Sequence, residues 1–222
     1  NVFLMAVSWF FYYKTSGLFL LLLLFVTLSD WLIAQRIYQA KGERRKAKVW
    51  LALSVVIDLG LLCYFKYAYF FTNVVNNLLG TELAVFDLFA YIGNGFSESG
   101  RFMVDKIILP VGISFYLFQV MSYTIDVYRG HVKPVKNILD FGFYVSFFPQ
   151  LVAGPIVRAS EFIPQLYKPF RVSRRLVGLA IFWVLNGLIK KIVLSDYLAV
   201  NLIDRVFDNP LLFSGFENLF AL

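Results

Sequence analysis

Two residue types on which much enzyme chemistry depends are nearly missing from this chain, which has one cysteine, Cys63, and one histidine, His131. A lone cysteine excludes a disulfide within the chain and any CxxC motif; lying inside an apolar run, it reads as a buried, inert thiol. A lone histidine leaves no convincing Ser/His/Asp arrangement, and neither HExxH nor a glycine-rich phosphate loop occurs. His131 itself sits in the short basic loop RGHVKP and reads as a solvated loop residue. Charge is scarce too, at 16% of residues against about 25% in soluble domains.

What fills the chain instead is apolar. Hydrophobic residues make up 59% of it, where soluble domains hold about 45–50%, and a soluble fold has no place for the surplus. A helix rises about 1.5 Å per residue and a bilayer core is about 30 Å thick, so roughly 20 apolar residues cross it. Several stretches reach that length. The 25 Phe, 13 Tyr and 4 Trp suit both helix packing and membrane interfaces, where Tyr and Trp satisfy an apolar ring and a polar tip together. The net charge of +7 would suggest a nucleic-acid partner in a soluble protein. Here the basic residues collect in loops between apolar runs, which is the positive-inside pattern, and nucleic acid is excluded as a partner.

Leu18 to Ala34, with six leucines interrupted only by Phe19, predicts a transmembrane helix with Asp30 near its end, at the interface beside Trp31. Arg36 to Lys48 holds six basic residues and one acid, Glu43, which places that loop in the cytoplasm. Val49 to Phe71 predicts a second span carrying Asp58 and Lys66. Their spacing of eight residues is about 12 Å along a helix, too far for an ion pair, so Lys66 snorkels outward while Asp58 faces protein or water in a structural role. Asn73 to Gly100 has no Lys or Arg but three acids, Glu82, Asp87 and Glu98, as expected of an extracytoplasmic stretch. Within it, Leu83 to Ile92 is too short to cross and suits the interface.

Ile107 to Val127 predicts a return span with Pro110 and Gly112 in its first turn, ending at basic Arg129, Lys133 and Lys136. Ile138 to Val157 is long enough to cross, yet Pro149, Gly154 and Pro155 interrupt it and the basic residues from Arg158 to Arg175 follow. A crossing would put that basic block outside, so a re-entrant segment is expected, with an internal cavity to receive its unpaired backbone groups. Leu176 to Val200 begins as a span; the adjacent Lys190 and Lys191 predict a helix end or break. Asn201 to Leu222 carries no assignable pattern. The fold class expected is therefore all-α, a polytopic transmembrane bundle with re-entrant or broken helices, in the plasma (inner) membrane.

Two stretches, LPVGISFYLFQVMSYTIDVYRG from Leu109 to Gly130 and FFPQLVAGPIVR from Phe147 to Arg158, closely resemble the membrane-bound O-acyltransferase family. The likeness is to the bacterial branch that includes the alginate O-acetylation protein and the D-alanine transferase of teichoic acid. WFFYYKTSG with its leucine run, and NGLIKKIVLSDYLA from Asn186 to Ala199, resemble the same branch. The resemblance implies transfer of an acyl group, acetyl above all, to a hydroxyl of an exported or cell-surface polysaccharide, through a tunnel in the membrane. It implies an acyl thioester donor (coenzyme A, a carrier protein or a partner), no tightly bound cofactor, no metal, and an acyl-carrier or extracytoplasmic acetylation protein as partner, beside membrane lipids. The family's catalytic base is a histidine well downstream of these motifs. Residues 1–222 are accordingly expected to form one partial membrane domain without its first helix or catalytic half, inactive alone, with no catalytic residue assigned. Gln119, Gln150 and Arg158 are polar groups in or beside apolar segments, where an unpaired group costs roughly 2–7 kcal/mol. Pairing between helices accounts for them, and lining the substrate tunnel is the sharper reading. A transporter or a non-catalytic membrane scaffold remains open as an alternative, although no internal repeat of the kind transporters show is present.

Overall fold

The computed structural model of the chain describes residues 2–91, 105–151, 154–169 and 172–222. All regular elements among the described residues are helical. The chain divides into two compact units, Asn1–Lys168 and Pro169–Leu222.

In the first unit, α1 (Val2–Ser16) and α2 (Phe19–Gln39) are followed by α3 (Arg44–Leu79). Helix α2 shows why a leucine-rich run can still have two sides. Leu23, Val26, Thr27, Asp30, Ile33, Ala34 and Ile37, three or four residues apart, are buried, while Leu21, Phe25, Leu28 and Leu32 are exposed. That spacing is one face of a helix. Asp30 belongs to the buried face, only 1% exposed, so it is not the interfacial carboxylate expected from its neighbour Trp31. Cys63 likewise departs from expectation: on α3 it points outward and is exposed, as an apolar thiol facing hydrocarbon can be.

The 36 residues of α3 rise about 54 Å, well beyond a bilayer core of about 30 Å. The expected span, Val49 to Phe71, is its middle; the helix runs on until Gly80 adopts a left-handed conformation. Beyond it, the Tyr64 hydroxyl donates to Asp87 Oδ1 at 3.0 Å and accepts from the Leu88 N–H at 2.8 Å, tying residues 87–90 back onto α3. Residues 92–104, with Ile92 and Glu98 from the expected extracytoplasmic stretch, lie outside the described residues, as do 152–153 and 170–171.

The return helix, α4 (Ile113–Arg129), starts later than expected. Leu109 precedes a proline, which favours extended backbone, and Gly112 is left-handed at φ +72°, so no helix can run through it. Helices α2, α3 and α4 pack against one another, and their basic connections meet at one end. There Trp31 Nε1 and Gln35 Nε2 from α2 both donate to the Val135 carbonyl beyond α4, each at 2.8 Å. Three short helices complete the unit: α5 (Ile138–Ser146), α6 (Phe148–Leu151) and α7 (Ala159–Leu166).

The second unit is dominated by α8 (Arg174–Asp208). The helix end or break expected at Lys190 and Lys191 takes the form of a change of pitch. The α-helix runs to Ile189, and Lys190–Asp196 and Ala199–Ile203 form π-helical turns. Lys191 and Asp196, five residues apart, pair across that wider turn, where the backbone register is i to i+5. A 3-10 turn, Pro210–Leu212, leads to α9 (Gly215–Phe220), started by a reciprocal capping box between Ser214 and Glu217. The bonds from Ser214 to the Glu217 carboxylate hold its pKa below the usual value.

Helices α2, α3 and α8 are long and apolar enough to cross a membrane. The chain is an all-α membrane protein.

Candidate functional site

The segment interrupted by Pro149, Gly154 and Pro155 forms a hairpin that returns to the level at which it enters. Asn137 caps α5, its side chain accepting from the Leu139 N–H, and Asp140 lies in the first turn. The chain runs inward to Ser146, turns through α6, and passes back along α5 in extended form, where the Tyr144 hydroxyl donates to the Val157 carbonyl at 2.9 Å. After α7, the Tyr167 hydroxyl donates to Asp140 Oδ2, so entry and exit are bonded together. That acceptor beside it raises the Tyr167 pKa above its ordinary value. The hairpin has the shape of the re-entrant segment expected from the sequence.

Its tip has polar backbone that membrane depth would leave unpaired, and protein receives much of it. From α1, Ser8 Oγ accepts from the Phe148 N–H at 3.4 Å and Trp9 Nε1 donates to Ser146 Oγ at 3.0 Å. Within the turn, the Gln150 and Leu151 N–H groups bond the Phe147 carbonyl and the Gly154 N–H bonds the Gln150 carbonyl, at 3.0–3.1 Å. Two glycines make the packing possible. A Cβ on Gly112 would lie 2.1 Å from the Leu151 carbonyl oxygen, and one on Gly154 would lie 2.4 Å from the Gln150 Cα.

Of the residues singled out in the sequence, Gln119 is buried on α4 and its Nε2 donates to the Tyr144 carbonyl at 2.8 Å, joining α4 to the hairpin. Arg158 precedes α7 with an exposed side chain. Tyr144 thus links Gln119 on one side to Val157, next to Arg158, on the other. Gln150 takes part in no side-chain bond with either; its Oε1 is buried, without a partner among the described residues. His131 lies in its loop with its side chain 65% exposed and Nδ1 3.5 Å from Asp126 Oδ1. No group of three or more metal-binding side chains occurs among the described residues. The sequence reading missed Tyr144, Trp9 and Ser146, which hold the hairpin, because in so aromatic a chain a Tyr or Trp stands out only through its bonding partner.

A second polar cluster sits between α2, α3 and α4. Ser54 Oγ donates to Asp30 Oδ1 at 2.5 Å and lies 3.2 Å from Thr124 Oγ1. Asp58, one turn further along α3, lies against Asp30 and receives no donor from another side chain among the described residues. Asp58 therefore faces protein, not lipid.

Two cavities accompany these clusters. One, about 1010 Å³, is an apolar groove beside α2 and α3 lined by Phe19, Leu22, Phe25, Ile57, Gly60 and Phe65 among others. The other, about 500 Å³, is basic and opens where α2 and α4 end and α3 begins. Pro149 to Pro155 line neither of these two. The hairpin packs against α1, α2 and α4.

Compared with known proteins, the chain is 36% identical over 213 residues to the probable alginate O-acetylase of Pseudomonas aeruginosa, an alignment covering 95% of this chain and 38% of that protein. The chain is a relative of these O-acetylases. To the probable alginate O-acetylase of Azotobacter vinelandii it is also 36% identical, over 90% of the chain and 37% of the relative. A peptidoglycan O-acetyltransferase of Helicobacter pylori is 28% identical over 88% of the chain and 38% of its own length. The chain thus spans less than two fifths of the curated relatives it matches. No family model and no solved structure matches it. The family resemblance carried by Leu109–Gly130 and Phe147–Arg158 therefore extends along nearly the whole chain.

Proposed function

We propose that the whole protein is a membrane-bound O-acyltransferase that moves an acyl group, acetyl above all, onto a hydroxyl of an exported or cell-surface polysaccharide. The observation that carries this reading is the alignment over 95% of the chain with a probable alginate O-acetylase. The re-entrant hairpin supports it, because a helix pair that enters and leaves at one end brings polar backbone to membrane depth only where protein or substrate can receive it. In the reaction, the acceptor oxygen attacks a thioester carbonyl; a C–O bond forms, the C–S bond breaks, and the hydroxyl proton passes to a general base, which returns it to the departing thiolate. The donor is a thioester on coenzyme A, a carrier protein or a partner, and an extracytoplasmic acetylation protein is a further partner.

The protein lies in the inner membrane and crosses it several times, with the basic connections Arg36–Lys48 and Arg129–Lys136 toward the cytoplasm. Described residues of this chain supply the scaffold of the substrate path. Gln119 fixes the hairpin to α4, Gln150 sits in the hairpin turn, and Arg158 stands at the start of α7. Transfer of labelled acetyl to polysaccharide by the full-length protein in membranes tests the reading. Gln150→Ala and Arg158→Ala are expected to lower transfer at unchanged protein level. Unchanged transfer would remove both residues from the path, and substrate flux into liposomes without any acetylated product would replace the enzyme reading with transport.

A further inference from the structure

The basic cavity has two kinds of wall. Its floor is apolar and buried, with Ile37, Ala47 and Val127 at 1%, 5% and 2% exposure. Its rim carries Lys41, Arg44, Arg129 and His131. The rim is short of counter-charge: Lys41, Arg44 and Arg129 have no carboxylate within 4.0 Å among the described residues. The two nearby acids are already engaged, Glu43 by Lys46 at 2.8 Å and Asp126 by His131 at 3.5 Å.

The backbone holds these cations together. Arg129 ends α4 and Gly130 follows in a left-handed conformation, φ +79°, turning the chain so that His131 doubles back and its N–H bonds the Asp126 carbonyl at 2.9 Å. A Cβ on Gly130 would lie 3.4 Å from Lys41 Nζ, so this bare turn lets the Lys41 amine approach, over the Tyr38 ring at 5.8 Å. Arg44 and Ala47 come from the first turn of α3, whose N–H groups add the positive end of a helix dipole. Every element of the site lies where helices α2 and α4 end and α3 begins, the depth at which an apolar core gives way to headgroups.

We propose that this cavity binds the phosphate of an anionic phospholipid, with Lys41, Arg44 and Arg129 on the phosphate and the Ile37–Ala47–Val127 floor under the first methylenes of its acyl chain. A basic pocket between membrane helices is suited to anionic headgroups. A soluble phosphate ester has the same charge but no use for the apolar floor, and the floor is what favours the lipid. The proposal is independent of the acyl-transfer reading.

The test uses the full-length protein purified in detergent, with native mass spectrometry after exchange against phosphatidylglycerol or phosphatidylcholine. Phosphatidylglycerol is expected to be retained preferentially. Each cation near an anionic lipid contributes roughly fivefold to binding, so Arg44→Gln with Arg129→Gln should weaken phosphatidylglycerol retention about 25-fold and leave phosphatidylcholine unchanged. Lys133→Gln with Lys136→Gln, outside the cavity, should have a much smaller effect. Equal retention of the two lipids by the wild type overturns the proposal without any variant, as does equal loss in the two double variants. Inorganic pyrophosphate distinguishes the sources: failure to displace phosphatidylglycerol supports the lipid, and displacement at equal molar concentration overturns it in favour of a soluble phosphate ligand.

Discussion

Helices α2 and α8 have nearly the same mean hydropathy over their most apolar 18 residues, 1.7 and 1.8, yet 39% of that stretch is buried in α2 and none in α8. Hydropathy measures what a helix gains by leaving water; it is indifferent to whether lipid or protein replaces it. In α2 the difference is made by Thr27, Asp30 and Ala34, small or polar residues on one face, of the kind that lets membrane helices approach and bond. Helix α8 keeps its apolar residues all round: Leu179, Ile181, Phe182, Trp183 and Leu185 are all at least half exposed. A surface residue in α8 and a packed one in α2 or its neighbours should therefore answer the same substitution differently.

The largest contrast is between two glycines. Gly112→Ala forces a side chain into left-handed backbone, which costs about 1–2 kcal/mol, and into the Leu151 carbonyl, with overpacking worth about 1–3 kcal/mol more. A fall of about 3 kcal/mol or more is expected, read as loss of monodisperse full-length protein or a lowered melting temperature in detergent. Gly178→Ala, in α8 with open space around it, is expected to be tolerated. Equal losses would break the comparison.

Next is the buried hydroxyl. Ser54→Ala strands Asp30 Oδ1 without its donor and should cost about 1–3 kcal/mol in thermal melts. Asn201→Ala in α8 removes only an exposed bond to the Tyr197 carbonyl and should stay within about 0.5 kcal/mol. A smaller effect is expected from Tyr144→Phe, which breaks the bond to Val157 and should lower stability by about 1 kcal/mol. Tyr197→Phe, whose hydroxyl makes no bond among the described residues, should leave melting unchanged.

The subtlest effect concerns pH. The Tyr167 pKa is raised by its bond to the Asp140 carboxylate, so folding gains from that bond below the ordinary tyrosine value near 10 and loses the gain as pH rises through the raised folded value. Phenolate absorbance should show one tyrosine ionising later in the wild type than in Asp140→Asn. Identical titrations would mean that the hairpin's entry and exit are not joined in solution.

The membrane assignment, the end at which the basic loops gather and the hairpin at Pro149–Pro155 were all legible in the sequence. They follow from apolar length, charge asymmetry and backbone breakers, which act locally. Asp30 was misplaced because its neighbour Trp31 signals an interface, whereas its partner Ser54 lies on another helix, 24 residues away. The partners of the hairpin tip were not legible either, since nothing near Pro149 announces that Ser8 and Trp9 will bond it. At Lys190 the sequence marked the break, though not its form, a π-helical turn. Of the tunnel candidates, Gln119 could be recognised as polar, but its bond to the Tyr144 backbone depends on how α4 meets the hairpin.

The bond between Trp9 and Ser146 joins residues 137 apart in the chain. A helix that crosses a bilayer can settle as soon as it is synthesised, since its own backbone bonds suffice. The hairpin has no such independence: among the described residues its tip bonds Ser8 and Trp9 of α1, made long before, and packs against Gly112 of the α4 entry. Helix α1 must therefore remain nearby, uncommitted to other partners, until the hairpin emerges, which makes the order of assembly part of what the first sixteen residues encode.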